Sequence, residues 1–252
     1  MIAAPGRTAW YVYGVVDAFA SLPPGRLRLV EEGVLAAVVG AVPLSEFGEE
    51  ALAERLNDRR WLEAHVREHE DVLQRLAAGS TVVPFRFGAI FRELDDVVAM
   101  LHDRCAELTA ALARVRGRVE MGVKGWADRE QVAASLGDAQ PEAAGGRAYL
   151  ERRLSEQQRA QQVIALLGDI AGDAHARLLR HADEGVANRP QPHELTGRDE
   201  TMVLNGAYLV GDGAELAAEV AALQADYGSR GVSFETTGPW PPHNFVEPRE
   251  GA

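Results

Sequence analysis

Residues 202–236, MVLNGAYLVGDGAELAAEVAALQADYGSRGVSFET, decide the fold that we expect for the C-terminal half of the chain. The apolar, uncharged run 202–210 predicts a strand, and the glycines that follow it predict a tight turn. Leucine and valine at helical spacing predict a helix over 214–227, and 232–236 predicts a closing strand. These elements are typical of a layer of helices on a sheet.

The residues before this stretch extend the same pattern. Residues 118–126, RVEMGVKGW, alternate apolar and polar side chains and predict a half-buried strand. Residues from about 128 to 184 predict a long helical insertion, in which Gly168 and Gly172 indicate a break or kink. The order strand, helices, strand, helix, strand predicts an α+β sandwich of modified ferredoxin-like type with inserted helices.

The N-terminal half predicts a second α+β domain. Its predicted elements are a strand over 10–16 with a bulge at Gly14, a hairpin over 27–30 and 34–39, a helix over 49–78 that is broken near 57–58, a short strand over 81–88 and a helix over 94–115. Because Gly117 separates the last helix from a new strand, we place a domain boundary near residue 116. The predicted domains are residues 1–116 and 117–252.

The charge balance and the cysteine content narrow the function classes. The 252 residues carry a net charge of −12, which disfavours sequence-independent binding of nucleic acid because that binding needs clustered positive charge. No apolar run has the length of a membrane span, and the first residues lack the pattern of a signal peptide. The single cysteine, Cys105, excludes an internal disulfide and a multi-cysteine metal site. We therefore expect a cytoplasmic protein.

His65 and His69 are the candidates for a metal site, since residues four apart share a helix face. Their sequence, HVREHE, differs from the H-E-x-x-H pattern of metalloproteases, and the sequence indicates no third ligand nearby. His69 also lies on one apolar stripe with Leu62 and Leu73. We therefore favour a packed, hydrogen-bonded core histidine over a zinc ligand.

Two further features have simple structural readings. The stretch 211–213, GDG, lies between a strand and a helix, but Leu216 stands where a G-x-G-x-x-G fingerprint needs glycine. A plain strand-to-helix turn is the better interpretation. Cys105 lies on a helical apolar stripe, which favours a small core residue over an exposed nucleophile.

The segment VPFRFG, residues 83–88, places one arginine between two aromatic residues. Strand alternation predicts Phe85 and Phe87 on one face and Arg86 on the other. In an acidic protein we expect Arg86 to pair with a buried carboxylate at the domain junction. Gly88 allows a backbone turn with positive φ.

The segment GPWPPHNF, residues 238–245, contains three prolines, which stiffen the backbone and disfavour regular structure. We expect it to be ordered and Trp240 to be substantially buried. Two roles stay open for it: an internal staple on its own domain, or an arm that binds a partner. The short distance from the preceding strand favours the staple.

Several motifs together resemble the gas vesicle protein F/L family over most of the chain. They are YVYG (11–14), Trp61 and His69 with Val72 and Leu73, TVVPFRFG (81–88), EMGVKGW (120–126), NGAYLV (205–210), TGPWPP (237–242) and Phe245 with Val246. The P-R-F-G and G-P-W-P-P elements in this order carry the specificity. The family usually has tyrosine and serine where this chain has His243 and Asn244.

The resemblance implies a non-enzymatic accessory protein of gas vesicle formation with two α+β domains. Its implied partners are the small hydrophobic shell protein and other accessory proteins, with no cofactor, nucleic acid, membrane or small-molecule substrate. A minor component retained in the vesicle wall is an alternative role, and a histidine-based metalloenzyme is a remote one. The candidate structural and interaction residues are Trp61, His69, Pro84, Arg86, Phe87, Gly88, Trp126, Tyr208, Gly238, Pro239, Trp240, Pro241, Pro242 and Phe245.

Overall fold

The computed structural model describes residues 8–22, 25–137 and 146–246. The chain divides into two compact units: residues up to Val119 with those from Trp240 onward, and Glu120–Pro239. The C-terminal segment thus differs from its predicted place in the second domain. The reason is that Phe245 is fully buried and Val246 packs on the core of the first unit. Residues 138–145, inside the predicted helical insertion, lie outside the described part of the chain.

The first unit is a sheet with helices on both faces. Its elements are β1 (Thr8–Asp17), β2 (Arg28–Glu32), β3 (Leu35–Pro43), α1 (Leu44–Phe47), α2 (Glu49–Arg55), α3 (Arg59–Ala77), β4 (Val82–Pro84), β5 (Ile90–Phe91), α4 (Leu94–Asp103) and α5 (Cys105–Val115). The strand order is β2-β3-β1-β4, and β5 also pairs with β1. The predicted hairpin and the bulge are confirmed: β2 pairs antiparallel with β3, and the β1–β3 register shifts between Val12 and Gly14.

Two apolar clusters hold this sheet between its helices. Val12 of β1 packs with Leu101 of α4 and Leu108 of α5, whereas Val16 of the same strand packs with Leu73 of α3. The helix predicted over 94–115 is interrupted at Arg104, whose φ of −100° and ψ of 14° leave the helical range. The predicted break near 57–58 is confirmed, because Asp58 caps α3 by accepting hydrogen bonds from two backbone N–H groups of its first turn.

The second unit has a four-stranded sheet in the order β7-β8-β6-β9. Its elements are β6 (Val119–Ala127), α6 (Arg129–Ser135), α7 (Gly146–Leu179), β7 (Glu184–Ala187), α8 (His193–Thr196), β8 (Thr201–Val210), α9 (Ala214–Tyr227) and β9 (Val232–Trp240). With α6 and α7 counted as one helical connection and the short α8 left aside, the connectivity is β-α-β-β-α-β, which is the ferredoxin-like pattern that the sequence predicts.

Three sequence predictions for this unit were wrong in detail. Helix α7 runs unbroken through Gly168 and Gly172, because both lie in open space where a helical glycine is tolerated. The short strand β7 was missed. Strand β9 continues to Trp240 through the cis Gly238–Pro239 bond, since β9 is an edge strand and an edge strand tolerates proline.

A bilayer-spanning helix would need a long, apolar, nearly uncharged stretch, and no helix in the described part of the chain meets that requirement.

Candidate functional site

A chain of hydrogen bonds runs through the core of the first unit. The N–H of Gly88 donates to the hydroxyl of Tyr11 at 3.0 Å, and this hydroxyl lies 2.9 Å from Nδ1 of His69. Nε2 of His69 lies 3.1 Å from the carbonyl oxygen of Phe85. Because a carbonyl only accepts, Nε2–H donates to Phe85 and Nδ1 accepts from Tyr11. The Tyr11 hydroxyl, both ring nitrogens of His69 and the N–H of Gly88 thereby each have a hydrogen-bond partner.

The electrostatics of this chain favour neutral groups. His69 is 2% exposed, and burial lowers its pKa, with the nearby charge of Glu70 opposing the shift. Burial likewise raises the pKa of Tyr11. A neutral imidazole with both nitrogens bonded suits a structural tie better than proton transfer to a substrate. The predicted packed, hydrogen-bonded His69 is confirmed.

The 83–88 segment is arranged differently from its prediction. Strand β4 ends at the buried Pro84, so strand alternation stops there. Phe85 packs on the apolar cluster that contains Val12, Leu101 of α4 and Leu108 of α5, here called the α4–α5 cluster. The centre of its ring lies 5.4 Å from the guanidinium carbon of Arg104. Phe87 instead contacts the rings of Tyr11 and His69, at 6.0 Å from each. The prediction that both phenylalanines share one face was wrong.

Arg86 is exposed, so its predicted burial was also wrong. The residue lies past the end of β4, where the backbone turns toward Gly88, and its side chain emerges on the surface. Gly88 does adopt the predicted positive φ, 89°, and this turn aims its N–H at Tyr11.

Trp61 and His65 extend the aromatic packing toward Phe47 of α1. The rings of Trp61 and His65 stack at 4.0 Å, and Nδ1–H of His65 donates to the Trp61 carbonyl oxygen at 2.8 Å. His65 and His69 thus face different neighbours. In the described part of the chain no group of three or more histidine, cysteine or carboxylate side chains is placed to hold a metal.

The C-terminal motif is anchored by a different residue from the one predicted. Trp240 is 38% exposed, which contradicts its expected burial, whereas Pro241, Pro242 and Phe245 are buried. Trp240 is the last residue of the edge strand β9. The chain turns after it, and the apolar residues that follow are the ones that become buried. Phe245, in a short 3-10 turn, is fully buried and takes the anchoring position.

His243 gives this segment a polar tie. Its Nε2 lies 3.2 Å from a carboxylate oxygen of Glu70 on α3, next to His69 in sequence. The hydrogen bond from His243 lowers the pKa of Glu70, and burial opposes that effect. The histidine at position 243 therefore brings a side chain that bonds to α3.

Trp126 in the second unit is buried and bonded on two sides. Its Nε1–H donates to Oε1 of Glu235 at 2.9 Å, and the guanidinium carbon of Arg198 lies 4.3 Å from its ring centre. Arg198 also donates to the other oxygen of Glu235 at 2.9 Å. The sequence analysis missed both partners, because they lie far from Trp126 along the chain.

Tyr208 is fully buried in β8 and bonds to His175 of α7, with 2.8 Å between the hydroxyl and Nδ1. Burial raises the pKa of Tyr208 and lowers that of His175. The ring lies across two glycines: a side chain at Gly206 would come within 2.5 Å of it and one at Gly185 within 2.9 Å. The sequence analysis missed His175.

The strand-to-helix turn at 211–213 is confirmed as a plain turn. Oδ1 of Asp212 accepts from the N–H of Ala214 at 2.9 Å, and Gly213 has a φ of 76°. Cys105 is half-buried against the α4–α5 cluster.

The described residues define an α+β protein of two compact units. Most of the side chains that the sequence motifs single out form hydrogen bonds or packing contacts that hold elements of the fold together. In both units a tyrosine, a histidine and a tryptophan are engaged in this way.

The chain belongs to the gas vesicle synthesis protein GvpL/GvpF family, whose model matches residues 9–247. It is 36% identical to gas vesicle protein L of Streptomyces sp. strain CB03234, over 94% of this chain and 92% of that protein. It is 28% identical to gas vesicle protein F of the same strain, over 94% of this chain and 99% of the relative.

Solved structures share the fold. The crystal structure of gas vesicle protein GvpF from Anabaena sp. PCC7120 superposes with a TM-score of 0.70 at 17% identity, covering 97% of this chain and 98% of the other. GvpF from Microcystis aeruginosa gives a TM-score of 0.65 at 19% identity, covering 95% and 99%.

Proposed function

We propose that this chain is a non-enzymatic accessory protein of gas vesicle formation that acts in the cytoplasm. In this role it binds the small hydrophobic shell protein and other accessory proteins while the vesicle is built. The observation that carries the proposal is membership of the GvpL/GvpF family over residues 9–247.

The physical need for such a protein follows from the chemistry of the shell. Burial of apolar surface lowers the free energy by about 25 cal/mol for each Å². A small, very apolar subunit therefore associates with itself in water. A folded acidic protein that binds this subunit competes with premature association. Exposed apolar side chains that are suited to such binding include Phe19, 95% exposed, and Leu195, 75% exposed.

The non-enzymatic reading is supported by how the reactive side chains are engaged. The two ring nitrogens of His69 are bonded to Tyr11 and Phe85, and Glu70 is bonded to His243. A metal ligand at His69 would need Nδ1 to release Tyr11, because a histidine binds a metal through one nitrogen and keeps the hydrogen bond of the other. Elemental analysis of the purified protein tests this alternative, and stoichiometric zinc that is lost in His69→Ala would favour it.

A quantitative pull-down tests the proposed partner. Tagged full-length chain is co-expressed with the gas vesicle shell protein, and the amount of captured shell protein is compared with the amount captured by the tag alone and by an unrelated acidic protein with the same tag. We expect shell protein to be captured by this chain well above both controls. Capture at the level of the controls would contradict the proposal.

A wash experiment separates a transient role from a retained one. Purified vesicles are washed with urea and probed for this chain. Loss of the chain on washing supports a transient accessory role, whereas retention favours the alternative of a minor wall component.

A further inference from the structure

In the sheet of the first unit, strand β3 extends beyond the end of β2. In the part of the chain that the structure describes, the last residues of β3 therefore have a neighbouring strand on one side only, and we call this part of β3 the open half-edge. Strand β2 begins at Arg28, which pairs with Val39 of β3. Beyond that point, residues 40–43 of β3 pair with β1 alone within the described sheet. Unpaired backbone groups at a sheet edge are a template for an added strand.

A groove of about 480 Å³ opens beside this half-edge. Gly40, Ala41 and Val42 line one side of it, and the rings of Tyr13 and His69 line another. These two rings stack at 5.7 Å with an interplanar angle of 23°. Among the described residues, the groove thus joins a stretch of β3 that pairs with a strand on one side only to the ring of Tyr13, which can cover an apolar side chain.

The glycine at position 40 suits this shape. A Cβ there would lie 3.1 Å from the Tyr13 ring, so the ring would have to shift by a few tenths of an ångström to make room for a side chain. A backbone free of side chains also lets another chain approach closely.

The charged residues of the groove give it a positive excess within an acidic protein. Arg26, Arg75 and Glu68 line it, whereas the whole chain carries −12. Within α3, Nε of Arg75 donates to the backbone carbonyl oxygen of Asp71 at 3.2 Å. This hydrogen bond holds the Arg75 side chain against its own helix. A guanidinium group binds a carboxylate through paired hydrogen bonds.

We propose that this groove binds an extended segment of a partner protein that adds a strand to β3 over residues 40–43. The segment places an apolar or aromatic side chain against the half-buried ring of Tyr13 and a carboxylate at Arg26 and Arg75. Because side chains alternate along a strand, the apolar and acidic residues lie at alternate positions on one face of the segment. This inference holds whether or not the partner is the shell protein.

Peptide selection on the purified full chain tests the proposal. A phage-displayed library of random peptides is selected on the immobilised protein, and the enriched peptide is synthesised with a fluorescent label. We expect enriched sequences with an apolar residue and an acidic residue at alternate positions. Failure to enrich any such sequence above a no-protein control would overturn the proposal.

Charge reversal tests the arginine contacts. In the double variant Arg26→Glu, Arg75→Glu, binding of the peptide measured by anisotropy should weaken by about tenfold or more. Replacing the acidic residue of the peptide with lysine should weaken binding to the wild type and restore it to the double variant. Arg67→Glu is the matched control, because Arg67 is an exposed residue of α3 that does not line the groove. Equal weakening by the control would contradict the site.

Backbone methylation tests strand addition. Two versions of the peptide carry N-methyl groups on alternate residues, so that one set faces β3 and the other faces solvent. We expect one version to lose binding and the other to keep it, since only one set donates to the sheet edge. Equal binding by both versions would rule out an added strand.

Discussion

Each unit buries one tyrosine against one histidine, but the two pairs are built differently. In the first unit the Tyr11 hydroxyl bonds to His69 and also accepts from Gly88, and His69 reaches on to Phe85. In the second unit the described hydrogen bond of Tyr208 is the one to His175. The first pair ties a loop to a strand and a helix, whereas the second joins one strand to one helix.

The difference shows which segment of the first unit is held by buried hydrogen bonds. Its hydrogen-bond chain fixes the segment from Phe85 to Gly88, and the terminal segment then packs on the same unit through Phe245. The second unit fixes its tyrosine by shape, since the ring rests on Gly185 and Gly206. Substitutions should therefore have unequal effects in the two units.

The largest effect is expected from removing the terminal anchor. Phe245→Ala should lower the free energy of unfolding by about 3–5 kcal/mol, as for other buried aromatic residues truncated to alanine. Trp240→Ala is the matched control, and its loss should be much smaller because the side chain is 38% exposed. Denaturant unfolding of both variants measures the two losses. A larger loss for Trp240→Ala would contradict the assignment of Phe245 as the anchor.

The tyrosine substitutions test the pairs directly. Tyr11→Phe leaves the Gly88 N–H and Nδ1 of His69 without partners, at a cost of about 2–4 kcal/mol. Tyr208→Phe leaves only Nδ1 of His175, at about 1 kcal/mol. Chemical denaturation of the two variants compares the losses. Equal losses would mean that the Gly88 bond contributes nothing.

The pH dependence should be weaker than these losses but should differ between the two histidines. Burial lowers the pKa of His69 and of His175, so the unfolded chain binds more protons than the folded one. The contribution to stability is complete above the unfolded-state pKa of about 6.5 and is lost as the pH falls below it. His69→Gln should remove more of this loss than His175→Gln, because His69 is the more buried residue.

Denaturant midpoints measured from pH 7 down to about pH 5 check this expectation, in a range above the usual titration of glutamate. Glu70 loses its charge at lower pH than the histidines gain theirs: its lowered pKa gives stability that is present above the ordinary glutamate pKa and is lost at lower pH. An unchanged pH slope in both variants would contradict the neutral, buried state of the two histidines.

The smallest effect is expected at Arg86. The sequence analysis predicted a buried ion pair, whose loss would cost about 3–5 kcal/mol. Since the side chain is exposed, Arg86→Ala should cost less than about 1 kcal/mol. A thermal melt of the variant distinguishes the two values. A large drop in the melting temperature would restore the first prediction.

Local patterns were enough to predict much of the fold. The turn glycine and flanking apolar runs identified the β2–β3 hairpin, and the glycine in the aromatic strand identified the bulge of β1. Helical spacing placed His69 in the core. Each of these features depends on residues that are close together in sequence.

The features that the sequence did not predict involve residues that are far apart along the chain, or the point at which a strand ends. Tyr11 and His69 are 58 positions apart, and Trp126 and Glu235 are 109 apart, so no local pattern pairs them. Phe85 and Phe87 were assigned to one face because β4 was predicted to continue past Pro84. The prolines of 239–242 indicated irregular backbone, but β9 is an edge strand and accepts Pro239.

We propose that the folded chain binds the apolar shell subunit before that subunit is built into a vesicle. The direct measurement is light scattering after purified gas vesicle shell protein is diluted out of denaturant, with and without an equimolar amount of this chain. The account predicts that scattering is delayed or suppressed by the native chain and not by an unrelated acidic protein of similar size. The same rise in scattering with and without the native chain would contradict it.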